Sequence, residues 1–142
     1  MAIISTKGRY GLRLLMDLAE KSGEGPVDLH SIAGRQAIPE KYLSKLALQL
    51  VAGGFLRSSR GSRGGYELAR RPEDIDILSV VEVLEGPLSL VDCTSGAEPC
   101  PRFPACGAKS LWSGLETIMR GYLSERTLAD VAAVQGEPEY YI

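Results

Sequence analysis

A chain of 142 residues has the length of one ordinary domain and can hide roughly two-thirds of its unfolded surface; 44% hydrophobic and 24% charged residues exclude extensive disorder. No apolar run approaches the roughly 18 residues of a membrane span, and the start "MAIISTKGRYGLR" has no apolar signal segment or cleavage site, so the expectation is a cytoplasmic protein without a membrane partner. The net charge of −2 conceals a division: residues 1–71 hold twelve of the 16 Lys and Arg and six of the 18 Asp and Glu, an excess of six positive charges, while the remainder has an excess of eight negative ones.

A basic half joined to an acidic half suggests a nucleic-acid-binding module fused to something else, with a chance asymmetry of solvated faces as the alternative. Ser5 and Thr6 are caps for a helix in "KGRYGLRLLMDLAEKSG", whose Tyr10, Leu14, Leu15 and Leu18 recur at helical spacing and face a core. Lys7, Arg9 and Arg13 are then expected on the exposed side. Asp28 caps a short helix through Leu29, Ile32 and Ala33 to about Gln36, and Pro39 fits the first turn of the next. Two helices so closely spaced read as helix-turn-helix.

The second of them, "PEKYLSKLALQLVAGG", commits Tyr42, Leu43, Leu46, Ala47, Leu50 and Val51 to the core and ends at Gly53-Gly54. Its other face carries Lys41, Ser44 and Lys45, donors suited to phosphates and base edges, although two lysines on a solvated helix are common. In "FLRSSRGSRGGYELARR", apolar pairs bracket a Gly- and Ser-rich tip with Arg57, Arg60 and Arg63, which reads as a β-hairpin. An exposed hairpin with arginines at its tip can enter a minor groove. Helix-turn-helix followed by such a hairpin is the order of a winged helix that binds double-stranded DNA.

Ile77, Val80, Val81 and Leu84 form the apolar face of a further helix, closed by Gly86-Pro87 and expected to pack under the wing. From Gly107 a long helix follows, with Leu111, Trp112, Leu115, Ile118, Met119, Tyr122 and Leu123 in one stripe at heptad-like spacing. Such a stripe is often ordinary core. Coming after a completed winged helix it needs a partner surface, and a two-fold homodimer supplies one while setting two recognition helices about one DNA turn apart. Thr127 with Asp130 resembles a capping box for a last short helix, and "VQGEPEYYI" is expected to fray.

All three cysteines fall in "DCTSGAEPCPRFPAC", as Cys93-x6-Cys100-x5-Cys106, among prolines and glycines that favour turns. An odd count argues against a disulfide framework and for thiol or metal chemistry. A loop that curls back can bring three thiolates to one centre, and thiolates select iron–sulfur clusters, zinc or copper(I). The spacing is a poor fit to a zinc ribbon. Incidental cysteines, or a redox pair with one left over, are the bland alternatives.

Together "STKGRYGLRLLMDLA", "EKYLSKL", "RGSRGGYEL" and three cysteines before "SLW" resemble the small bacterial winged-helix regulators that include IscR, NsrR and CymR, over about residues 3–133, with the cysteine triad selecting the cluster-binding branch. The resemblance implies a homodimer with an exchanged long helix and a cluster held by Cys93, Cys100 and Cys106, two-iron in preference to four-iron. It puts Lys41, Ser44 and Lys45 in the major groove and Arg60 in the minor groove, with Lys7, Arg9 and Tyr10 near backbone phosphates. Two departures stand out: Lys109 occupies the place of the cluster regulators' histidine, and "KGRYG" lacks the nitric-oxide sensors' aspartate. Asp92, Ser95, Glu98, water or a small thiol remain as fourth ligands, and His30 reads as an ordinary helix residue.

The resulting expectation is a mainly α protein with a small β-hairpin wing, a winged helix-turn-helix plus a long dimerisation helix. Residues 1–86 form the DNA-binding domain, 87–107 a cysteine-bearing sensor loop, 108–133 the dimerisation and C-terminal helices, and 134–142 a tail. The function expected is transcription regulation, most simply repression, with DNA affinity set by the cluster and iron–sulfur biogenesis genes as targets. A nitric-oxide, redox or cysteine-metabolism regulator of the same fold, or a zinc- or thiol-stabilised protein-interaction module, is the alternative. No nucleophile with a base, no phosphate loop and no carboxylate pair indicates an enzyme or a small-molecule substrate.

Overall fold

The computed structural model describes residues 3–94 and 100–134, in the order α1 (Thr6–Glu20), α2 (Leu29–Gln36), α3 (Glu40–Ala52), β1 (Leu56–Ser59), β2 (Gly65–Leu68), α4 (Ile77–Glu85), α5 (Ala108–Ser124) and α6 (Leu128–Ala133). The tail 135–142 and part of the cysteine loop, including Ser95 and Glu98, lie outside the described residues. Local capping chemistry sets the helix starts. Ser5 accepts from the Lys7 N–H, Asp28 from Ser31, Asp76 from Ser79, and Thr127 and Asp130 cap one another reciprocally. Pro39 sits at the N-cap of α3 rather than inside its first turn, one residue earlier than its helix-starting role suggests. Ala37 ends α2 in the left-handed conformation (φ 53°) and donates to the Ala33 carbonyl, which turns the chain sharply toward α3.

One core unites these elements. Leu14, Leu15 and Leu18 of α1, Ile32 of α2, Leu43, Leu46 and Leu50 of α3, Phe55, Val80 and Leu84 are all buried in it. Leu128 of α6, fully buried, closes the same core, and Ile75 and Leu128 are joined by a 2.8 Å backbone bond. Burying a Leu of this kind stabilises by roughly 1.5–3 kcal/mol relative to leaving it exposed.

α4 packs against α1, α3 and α5 rather than under the wing. The reason lies in α1: a Cβ at Gly11 would sit 2.3 Å from Leu84 Cδ1, so the glycine opens the space that Leu84 fills. The hairpin pairs Leu56 with Leu68 and Ser59 with Gly65. A third segment joins it, because Val27 and Tyr66 exchange two 2.8 Å backbone bonds, and Gly65 lets the chains approach where a Cβ would lie 2.2 Å from the Val27 oxygen.

Asp17 is the one buried acid among the described residues, at 2% exposure. Arg35 grips it through Nε (3.0 Å) and Nη2 (2.7 Å), and Gln36 Nε2 adds a third bond at 3.0 Å, locking α1 to α2. No described helix is long and apolar enough to cross a membrane.

Candidate nucleic-acid interface and cysteine loop

Two helix starts form the basic face. The hydroxyls of Thr6 and Tyr42 are 3.1 Å apart, and the rings of Tyr10 and Tyr42 meet edge-on at 6.0 Å, so the beginning of α1 is bolted to the beginning of α3. Arg9 and Arg13 lie 5.8 and 5.4 Å from the Tyr10 ring centroid. Lys7 and Lys45 consequently line one groove of about 420 Å³ with Tyr42 and Gln49. Lys41, Ser44 and Lys45 border a second, shallower concavity with Leu29 and Glu40. Lys7, Arg9, Lys41 and Lys45 are exposed, and Ser44 and Tyr10 half-buried.

Arg13 departs from the expected exposed position. It is half-buried and its Nε donates to Gln36 Oε1 at 3.2 Å, with a further bond to the Gln36 carbonyl, so it serves the α1–α2 joint. Tyr42, read from the sequence as a core position, is half-buried with its hydroxyl committed to Thr6. A hydroxyl interrupting an apolar stripe was the signal for it. Glu85, at the end of α4, accepts from Ser5 N (2.7 Å), Ser5 Oγ (2.7 Å) and Gly8 N (2.9 Å), placing a carboxylate at the positive end of α1. Burial pushes its carboxyl up, and the bonds from Ser5 and Gly8 more than offset this, holding it below its ordinary value.

Arg60 and Arg63 are exposed at the wing tip and form no salt bridge within the described residues, whereas Arg57 reaches back to Glu67 at 3.6 Å. The wing arginines stand on an element separate from the lysines of α3. His30 is exposed, with Nδ1 2.9 Å from Glu40 Oε2, and that hydrogen bond raises its imidazole above the usual value. It thus joins α2 to α3.

The cysteine loop starts from a 3-10 turn at Asp92–Thr94. Thr94 Oγ1 donates to Glu116 Oε2 of α5 at 2.8 Å and Leu90 N to the same oxygen at 3.3 Å, so the turn carrying Cys93 hangs from α5. Cys93 and Cys106 are half-buried and Cys100 exposed, all as free thiols. Their donor chemistry suits an iron–sulfur cluster, but among the described residues no three His, Cys, Asp or Glu side chains are gathered where they could hold a metal ion. Lys109 donates to the Pro104 carbonyl (3.2 Å) and lies 4.8 Å over the Phe103 ring, pinning the loop's second half.

No residue of α5 is buried; Leu111, Leu115, Ile118 and Tyr122, spaced by four, three and four, expose 63%, 43%, 69% and 56% of their surface. Ile118 and Tyr122 also line an apolar groove of about 580 Å³ with Ile3, Ile4 and Leu88.

Comparison with known proteins adds a family. The profile of Rrf2, described as an iron-dependent transcriptional regulator, matches residues 4–134. The transcriptional regulator CymR of Bacillus subtilis is 40% identical over 140 residues, covering 98% of this chain and 96% of that protein. Among solved structures, that of CymR (YrzC), the global cysteine regulator of B. subtilis, superposes with a TM-score of 0.79 at 39% identity, over 95% of this chain and 99% of that one. IscR of T. potens superposes with a TM-score of 0.75 at 37% identity, over 98% and 92%.

Proposed function

The chain belongs to the Rrf2 family of transcriptional regulators, whose relatives are DNA-binding regulators and not enzymes, and from that membership we propose a homodimer that reads promoter DNA through α3 and the wing and takes its signal at Cys93, Cys100 and Cys106. The observation that carries the DNA-reading part is the Thr6–Tyr42 junction, which puts Lys7 and Lys45 in one groove. Lys41, Ser44 and Lys45 enter the major groove. Lys7, Arg9 and Tyr10 lie along the phosphates, and Arg60, flanked by Arg57 and Arg63, enters the minor groove. The apolar stripe of α5 supports pairing with a second copy, which sets two α3 helices on successive turns about 34 Å apart. Residues 1–86 are the reading part and 87–107 the sensing part.

Three thiolates suit an iron–sulfur cluster, taken as two-iron from the family resemblance and not from the ligand set, and Cys93, Cys100 and Cys106 would hold it; such a centre supplies sensitivity to iron supply and oxidants. The protein's own contribution is mechanical: Thr94 and Leu90 hand the Cys93 turn to Glu116 on α5, so a rearranged loop acts on the helix that sets the spacing of the two reading heads. A second reading, thiol-based control of cysteine metabolism without a stable cluster, is favoured by the ungathered thiols and by the 40% identity to B. subtilis CymR.

The test is selection of bound duplexes from a random pool, followed by anisotropy titration of the consensus. A palindromic consensus bound at least about a thousandfold more tightly than random duplex supports the reading. Equal affinity for both refutes it.

A further inference from the structure

Behind the wing lies a cavity of about 300 Å³, at the lower end of small-molecule sites. It is a half-open cleft between the turn that follows α1 and the base of the hairpin. Its apolar surface comes from Leu18, 2% exposed, with Val27, Leu68 and Ala69. Lys21, Arg57, Arg70 and Arg71 supply four positive charges to its lining against the single carboxylate of Glu67.

Two of these cations are already occupied. Arg57 lies 3.6 Å from Glu67, and Arg71 binds Asp74 at 2.9 Å and Glu73 at 3.5 Å. Arg70 lies over the Phe55 ring at 4.8 Å, and neither it nor Lys21 forms a salt bridge within the described residues. A concave surface with excess charge of one sign focuses its field and concentrates counter-ions. Such a wall is unfavourable when empty and complementary to an anion. The apolar floor adds a preference for an anion that carries a hydrophobic body.

Position argues for a small ligand over duplex DNA. Lys21 caps the far end of α1, fourteen residues and roughly 21 Å along the axis from Lys7. The Val27–Tyr66 bridge crosses the cavity's edge and ties the turn to the wing, so a ligand held between Lys21 and Arg70 would clamp the wing against α1.

We propose that this cavity binds a small organic anion, a phosphate or carboxylate on a short apolar body, held by Lys21 and Arg70 over Leu18 and Leu68. The proposal is independent of the cysteine loop, and its ligand is a second signal to the regulator.

The test uses the full-length protein with phenyl phosphate as probe, followed by amide NMR and calorimetry, with inorganic phosphate and phenol for comparison. Saturable shifts confined to residues 21–27 and 67–71 are expected, with phenyl phosphate about tenfold tighter than inorganic phosphate and phenol silent. Lys21→Gln and Arg70→Gln each weaken binding at least about fivefold, and the charge-keeping Arg70→Lys, which also controls for loss of the Phe55 contact, retains most of it. Shifts centred on Lys7, Lys41 and Lys45, or full binding by the Lys21→Gln/Arg70→Gln protein, overturn the proposal. So does silence of the wild type toward phenyl phosphate, and a lowered DNA affinity of the same double variant would then assign the two cations to DNA phosphates.

Discussion

The hydroxyl of Thr6 stands 3.1 Å from that of Tyr42, the sole side-chain hydrogen bond between α1 and α3 among the described residues, and it fixes how the two basic helix starts sit against one another. Tyr42→Phe removes it while keeping the ring against Tyr10. A loss of about 1 kcal/mol in folding stability is expected, together with a drop of about threefold to tenfold in DNA affinity. Urea melts and anisotropy titrations measure both; unchanged affinity would show that the junction does not set the interface.

Wing and helix are expected to contribute differently to DNA affinity. Arg60→Ala costs about 1–3 kcal/mol at the specific site and relaxes preference at the bases beneath the wing, whereas Lys7→Ala weakens every sequence and reduces the salt slope by about one. Titrations of matched and mismatched duplexes at several salt concentrations separate the two. Equal, sequence-independent losses would reduce Arg60 to a backbone contact.

Replacing Ile118, 69% exposed on the α5 stripe, by glutamate puts a charge on the surface assigned to the second copy. Sedimentation is expected to show a dimer for the wild type and a monomer for Ile118→Glu, with far-UV dichroism unchanged. An undisturbed dimer in the variant would place the interface elsewhere.

Asp17 carries a pH prediction. Burial pushes its carboxyl up, but the bonds from Arg35 and Gln36 outweigh burial and hold it below its ordinary value of 3.8. A lowered folded-state value means stabilisation that is complete above 3.8 and fades as pH falls through the lower value. Asp17→Asn therefore costs about 2 kcal/mol at neutral pH, and the gap to wild type narrows below pH 3.8. Denaturant melts at pH 7 and pH 3 read this directly, and a gap that stayed constant would assign the loss to packing alone.

What the sequence made legible was local. Periodic apolar residues, flanked by the capping residues Ser5, Asp28 and Thr127, mark their helices because helical spacing and caps are written in neighbouring positions. The wing followed from its turn chemistry. Pairings across the chain were not legible: Asp17 with Arg35 is eighteen residues apart and Glu85 with Ser5 eighty, and no local pattern marks either. Val27 joins the sheet as a single residue, too short for any alternation to show. The placement of α4 escaped for the same reason, since it depends on the space Gly11 leaves for Leu84. Of the candidate site, the basic residues of α1 and α3 emerge together, whereas the three thiols, readable as a set by composition, are not gathered among the described residues.

In the proposed function the cysteine loop sets DNA affinity. The decisive measurement is anaerobic anisotropy titration of the selected operator with iron- and sulfide-loaded protein, metal-free protein and a Cys93/Cys100/Cys106→Ala variant, with iron, sulfide and visible absorption recorded on each sample. Matched iron and sulfide with visible absorption are expected in the loaded wild type only, together with a DNA affinity that differs at least about tenfold between loaded and metal-free forms. Wild type and variant that bind DNA alike under both conditions would contradict that role of the loop.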